Sequence, residues 1–245
     1  MHGRFHGLVS AVMCGRFSQY SPVSDLVTQF EVDESAVDEA ARRPRYNVAP
    51  TQQALIVATS ADGATRKLGE MRWGLVPHWA KDPTIGNRMI NARTDKVATS
   101  NAYRTAFARR RCLVPVDGFF EWAKPAEAAA NGKTAKTPFH IHTPDRTPLA
   151  LAGLWETWYD AEDQPLRTFT ILTGDANHMM APIHHRMPVI VASADWATWL
   201  APAPLSEAEQ SRLLAPAADD LLVADEISTL VNRPANDSAD VIVPV

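Results

Sequence analysis

Apolar positions along the chain come in short runs broken by turn residues, and only a few stretches repeat at helical spacing. Val23, Leu26, Val27 and Phe30 recur every three or four residues behind Ser21-Pro22, which predicts a helix with proline in its first turn. A second short helix is expected over 35–42. Residues 54–59 form an apolar run, and 68–75 follow the Ala61-Asp62-Gly63 turn, so the two read as paired strands. A helix is expected over 102–110, ending in Arg109-Arg110-Arg111, whose charges suit a solvated helix C-terminus. The run 112–116 reads as a buried strand, which Asp117-Gly118 turns into Phe119-Phe120-Glu121-Trp122. Residues 123–137, rich in Ala and Lys, read as a flexible surface loop. Further strands are expected at 139–142, 149–155 and 168–173. A helix from Asp195 through Trp199 follows, and Ser206 with Glu209 makes a capping box for another. Many short strands without regular strand–helix alternation predict an α+β fold with a barrel-like antiparallel core and peripheral helices. No internal repeat or linker divides the chain, so one domain is expected.

Composition narrows the class. A hydrophobic content of 46% fits a globular chain, and no apolar run approaches a membrane span. Residues 1–12 are too short and too interrupted by Gly and His for a signal peptide. Two cysteines, Cys14 and Cys112, make no disulfide framework, so a reducing cytoplasm is expected. The net charge of −4 argues against a nucleic-acid coat. The acidic excess, however, sits in 201–245, where eight acids face only Arg212 and Arg233. Arginine supplies most of the cations, and its planar fork permits a local phosphate site without demonstrating one. His140 and His142 lack the partners of a zinc template, and there is no phosphate loop or dinucleotide fingerprint. No metal and no cofactor are expected.

The candidate chemistry centres on Met13-Cys14-Gly15-Arg16-Phe17. With Met13 gone, Cys14 would carry an α-amine and a thiol two carbons apart. The amine can condense with an aldehyde, and the thiol can close on the imine carbon to give a thiazolidine. Both groups titrate near neutrality when unperturbed, at about 7.7–8.0 and about 8.5. On its own, Cys14 reads as an ordinary buried cysteine. Glu121, between Phe120 and Trp122 after an apolar strand, is placed for partial burial, which would raise its pKa into the range of a general acid or base. His184 and His185 are adjacent, and on a strand or turn both cannot face inward; His184 is a candidate for proton transfer. Asn91 and Arg93, two residues apart, would share a strand face. Asn47 on its own reads as a turn residue.

Six motifs then occur in order: Met13-Cys14-Gly15-Arg16-Phe17, Tyr46-Asn47-Val48-Ala49-Pro50-Thr51, Trp73-Gly74-Leu75-Val76-Pro77, Asn91-Ala92-Arg93, Gly118-Phe119-Phe120-Glu121-Trp122 and His184-His185-Arg186-Met187-Pro188. Together they resemble the SOS-response-associated peptidase (SRAP) family of abasic-site sensors, from Met13 to about Pro234. The resemblance implies a single α+β SRAP-type domain over 13–234, preceded by an extension (1–12) absent or removed in the active protein and followed by a tail (235–245). It implies an autocatalytic DNA–protein crosslinking enzyme that captures abasic sites in single-stranded DNA, with replication-fork or 3′-junction DNA as setting and a monomer as the working unit. Catalytic roles fall to Cys14 as the aminothiol, His184 in opening the sugar ring, Glu121 in moving protons and Asn91 in holding the sugar. Arg16, Arg93 and Arg186 would clamp phosphates, while Trp73, Pro50 and Thr51, with Asn47, would line the DNA groove. Thr94-Asp95 reverses the family's usual order, and His185 stands where an aspartate is common. Two other classes fit parts of the pattern. A cysteine peptidase using Cys14 and His184 would survive blocking of the amine. A non-covalent single-strand binder would be indifferent to Cys14→Ala.

Overall fold

The computed structural model describes residues 14–124 and 136–245. Thirteen strands run through the described residues. The first six are β1 (Phe17–Gln19), β2 (Glu34–Ser35), β3 (Arg45–Val48), β4 (Gln53–Thr59), β5 (Arg66–Trp73) and β6 (Asn91–Arg93). The next four are β7 (Arg111–Val116), β8 (Gly118–Ala123), β9 (Thr137–His142) and β10 (Leu149–Tyr159). The last three are β11 (Pro165–Asp175), β12 (Arg186–Pro188) and β13 (Val223–Glu226). The helices are short: α1 (Val23–Gln29), α2 (Thr94–Val97), α3 (Arg104–Arg109), α4 (Trp196–Leu200) and α5 (Glu207–Leu213).

Five strands close on themselves in the order β11-β10-β7-β4-β5, and β5 returns to β11. Four joints are antiparallel. The joint of β5 with β11 is parallel, with Trp73 opposite Phe169. An odd number of strands cannot alternate direction all the way round a ring, so one parallel joint is a geometric necessity. Strands β6 and β12 extend β11 toward its C-terminal end. A second sheet, β13-β9-β8-β1-β3, is antiparallel throughout.

The period of two along each strand sorts the ring's residues into an outer and an inner set. Leu55, Val57, Leu113, Ala152 and Leu154 pack with Leu26, Phe107, Trp196 and Trp199 of the helices. Helices cannot fit inside five strands, so this is the outer face. Their neighbours Ala54, Ile56, Val114, Leu151, Phe169 and Ile171 form the other cluster and fill the lumen. Phe17, Val48, Phe119 and Ile141 of the second sheet join that lumen cluster, and Cys14 with them. Each large apolar side chain removed from water here contributes about 1.5–3 kcal/mol.

Most of the strands and the capping box at Ser206 stand where the sequence puts them; in the box, Ser206 and Glu209 bond reciprocally. Three expectations are corrected. The helix over 35–42 does not form: β2 ends at Ser35, and the Ser35 and Asp38 side chains accept the Val37 and Ala40 N–H groups. Such local bonds compete with a helix. Residues 235–245 do not trail the domain. Val241 packs with Phe120, Ile227 and Val231, and Asp237 accepts from the Tyr46 and Asn47 N–H groups and from Arg45. The loop expected over 123–137 lies mainly outside the described residues.

The third correction is Arg111, which is no solvated helix end. It opens β7 with its guanidinium buried over the Trp199 ring. It donates to the carbonyls of Trp199 at 2.5 Å, Phe107 at 2.6 Å and Ala203 at 2.8 Å, and also to Ala201. Burial pulls its pKa down to about 10. Arg111→Ala strips these carbonyls of their donor together. Melting should drop by roughly 6–12 °C, the equivalent of about 3 kcal/mol in a domain of this size; differential scanning calorimetry checks it.

Candidate active site

Cys14 precedes β1 in a left-handed turn, with φ 36°. Strand β1 runs antiparallel to β8, with Phe17 opposite Phe119, and the Phe120 N–H donates to the Arg16 carbonyl. On β8, Phe119 faces the lumen cluster and Phe120 the cluster under the C-terminal segment. Glu121 therefore shares the lumen side with Phe119. The result is one short contact: the Cys14 nitrogen donates to Glu121 Oε1 at 2.6 Å. That nitrogen is a peptide N–H in this chain. It marks the position of an α-amine once Cys14 is N-terminal.

Burial sets the electrostatics. Desolvation pushes the Glu121 carboxyl up to about 7, with the Cys14 and Trp122 N–H groups and Lys136 pulling partly back. A carboxyl at that value is half-protonated at neutrality and can give or take a proton. Cys14 is 1% exposed. Desolvation, with the Glu121 charge second, pushes its thiol well above the ordinary range. The thiol is therefore protonated at rest.

His184 lies in the loop before β12. Ile183 packs on the cluster to which Cys14 belongs, and the Lys136 ammonium lies within electrostatic reach of His184 and of Glu121. Desolvation lowers the His184 pKa below its ordinary value, so the ring is neutral at pH 7. Its Nδ1 lies 3.1 Å from both the N–H and the carbonyl of Arg186, which between them serve either tautomer of the ring. The His185 ring sits 4.4 Å away, its plane tilted by 31° to that of His184.

Asn91 begins β6 opposite Ile171, next to Ile90 of the lumen cluster. Arg93 and Arg186 are brought together across β11, opposite Thr173 and Asp175 respectively, and the Arg186 guanidinium feels the charges of Arg93, Asp95 and Asp175. Arg93 is exposed and holds Asp95 in a two-pronged pair at 2.9 and 2.6 Å. Arg186 donates to Thr173 Oγ1 at 2.8 Å.

Other expected groove residues turn inward. Arg16 donates to Asn47 Oδ1 at 3.0 Å and to the carbonyls of Val231 and Asn232 at 2.7 and 3.3 Å. The Asn47 amide is buried and donates to the carbonyls of Val231, Arg233 and Asn236. Both hold the C-terminal segment. Pro50 and Thr51 form the turn after β3, with Thr51 at φ 73° and its N–H on the Trp73 carbonyl. Trp73 itself is 0% exposed, stacked on Phe169 and met by a tilted Phe17 ring, with its indole N–H on the Ile90 carbonyl. It cannot stack on a base, so its expected place in a groove is corrected. The exposed aromatic of that stretch is Trp79, 52% exposed, in an open depression with His78, Asn101 and Arg104. Tyr103, next to Arg104, bonds through its hydroxyl to the Asn91 carbonyl. Position beyond the end of β5 was the available signal for Trp79. Lys136 had none, lying beside a loop. Among the described residues no group of three or more His, Cys, Asp or Glu could hold a metal, and no helix is long and apolar enough to cross a membrane.

Residues 13–234 match the SOS response associated peptidase (SRAP) family. The chain is 40% identical over 230 residues to the abasic site processing protein YoaM of Bacillus subtilis, covering 94% of this chain and 97% of that protein. It is 27% identical to the abasic site processing protein YedK of Escherichia coli, across 95% and 100% of the two chains. A solved structure of a protein from Bacteroides thetaiotaomicron superposes with a TM-score of 0.82 at 25% identity, over 95% of this chain and all of that one.

Proposed function

The chain belongs to the SOS response associated peptidase family, and from that premise we propose that it captures abasic sites in single-stranded DNA covalently through Cys14. The observation that carries the reading is the Cys14 nitrogen held 2.6 Å from a buried carboxyl whose pKa is about 7. The names of the relatives supply the substrate class.

The chemistry requires Cys14 as the first residue. His184, neutral, takes the proton of the C1′ hydroxyl as the C1′–O4′ bond breaks and returns it to O4′, so the deoxyribose opens to its aldehyde and the imidazole ends neutral. The Cys14 amine attacks C1′ to form a carbinolamine. Glu121 in its acid form protonates the hydroxyl, water leaves, and an iminium remains. The Glu121 carboxylate then takes the thiol proton, and sulfur bonds to C1′ to close the five-membered ring. The ring nitrogen ends neutral, and the net loss is one water. A thiol kept protonated by burial suits this order, because a proton acceptor is needed only after the electrophile has formed. The same burial counts against a peptidase, which needs a thiolate at rest. Asn91 borders the reacting sugar, and Arg93 and Arg186 make a cationic pair for its flanking phosphates.

The test compares two oligonucleotides, one with a natural abasic site and one with its tetrahydrofuran analogue, which has no aldehyde. A denaturation-resistant complex should form with the first alone; equal complexes with both would refute the aldehyde chemistry. Base stacking is assigned to Trp79. Trp79→Ala should weaken non-covalent binding of an undamaged single strand about tenfold, within the roughly 1–3 kcal/mol of one stacked base, as read by fluorescence anisotropy.

A further inference from the structure

The barrel has a second mouth. The site around Cys14 sits at the end where β5 and β11 finish, with β6 and β12 alongside. At the opposite end, where β4 and β10 finish and β5 and β11 begin, the lumen opens into a cavity of about 650 Å³. That volume is in the range of small-molecule sites, which run to roughly 300–1,000 Å³. Its floor is apolar, made by Ile56, Ala58, Met71 and Trp155. Its rim carries Lys67, Arg109, Arg110 and Arg167.

Two features separate this cavity from a packing defect. No Asp or Glu lines it among the described residues, although the chain as a whole is acidic. Lys67 and Arg110 are balanced from outside by Glu34 and Glu156, whereas Arg109 and Arg167 have no ion pair among the described residues. The second feature is Gly69, opposite Ile56 on the β4–β5 ladder. A Cβ added there would meet nothing within 4 Å, whereas one at Gly153 would strike the Cys112 sulfur at 2.8 Å. Glycine at position 69 keeps space open in a wall that elsewhere is filled.

We propose that this mouth binds a small organic anion with a flat apolar body, the body against Ile56, Met71 and Trp155 and the anionic head between Arg109 and Arg167. Desolvated aromatic and aliphatic surface holds the body, and Trp155 offers a ring face. The arginine forks hold a carboxylate, sulfonate or phosphate head.

The test uses 8-anilinonaphthalene-1-sulfonate as the anionic probe and N-phenyl-1-naphthylamine as its neutral counterpart, titrated into the full chain and followed by probe fluorescence. The sulfonate should bind at one saturable site and the neutral analogue at least tenfold more weakly. Gly69→Leu, which fills the cavity, and Arg167→Glu, which reverses the rim, should each weaken the sulfonate at least tenfold. Circular dichroism and melting confirm folding of both variants, and capture of an abasic oligonucleotide should be unchanged. Naphthalene-2-sulfonate, a flat anion, should displace the probe. Equal binding of the two probes, undiminished binding in both folded variants, or displacement by an undamaged oligonucleotide would each overturn the proposal, the last by giving the rim to DNA.

Discussion

Cys14→Ala and Cys14→Ser each lose heat-stable capture, by at least a thousandfold, and leave only an imine that must be trapped by borohydride. Alanine at the N-terminus keeps the amine and can still condense with an aldehyde. The resulting imine hydrolyses, because nothing closes on it. Sulfur held two carbons from the nitrogen converts a reversible bimolecular addition into ring closure, and well-oriented intramolecular attack reaches effective molarities of about 10⁵–10⁸ M. Serine keeps the geometry but offers a hydroxyl, a far poorer nucleophile at neutral pH. The measurement is the heat-stable fraction on a denaturing gel, with and without borohydride. Capture by Cys14→Ala at the native rate would move the reaction to another nucleophile.

Glu121→Gln separates catalysis from stability, with opposite signs. Gln retains a carbonyl for the Cys14 N–H but cannot exchange a proton, so capture should slow by about 10²–10⁴-fold, the usual scale of general acid–base catalysis. Stability moves the other way. The folded carboxyl titrates at about 7, above its ordinary 4.5, because burial disfavours its charge. The folded protein therefore holds this proton more tightly than the unfolded chain. That contribution is fully present below about pH 4.5 and is lost as pH rises to 7. Above pH 7 the buried charge costs up to about 3 kcal/mol. Glu121→Gln in the full chain should melt above the native protein at pH 8, with the difference closing toward pH 4.5. A variant slow in capture yet less stable at pH 8 would make Glu121 a structural residue.

Much of this arrangement was legible along the chain because it depends on local pattern. The apolar run after residue 111 and the Asp117-Gly118 turn put Glu121 on a strand whose alternation turns it to the lumen. Its burial could be read without knowing its partner. The failures lie where distant contacts decide. Arg111 looks like the end of a charged helix until the carbonyls of Phe107, Trp199 and Ala203 gather around it. Trp73 and Trp79 belong to one stretch, and only the pairing of β5 with β11 shows that the first is enclosed and the second is not. Arg16 and Asn47 have the chemistry to hold phosphates but are turned to the C-terminal segment. No local signal in 235–245 announces that segment's packing.

By this mechanism Cys14, as first residue, forms a thiazolidine with an abasic sugar. Intact-mass spectrometry tests it most directly, on a chain beginning at Cys14 incubated with a single-stranded oligonucleotide bearing one abasic site. A heat-stable species at the sum of the two masses less one water is the predicted result. Protein and oligonucleotide masses that stay separate, with the aldehyde verified in the oligonucleotide, would contradict it.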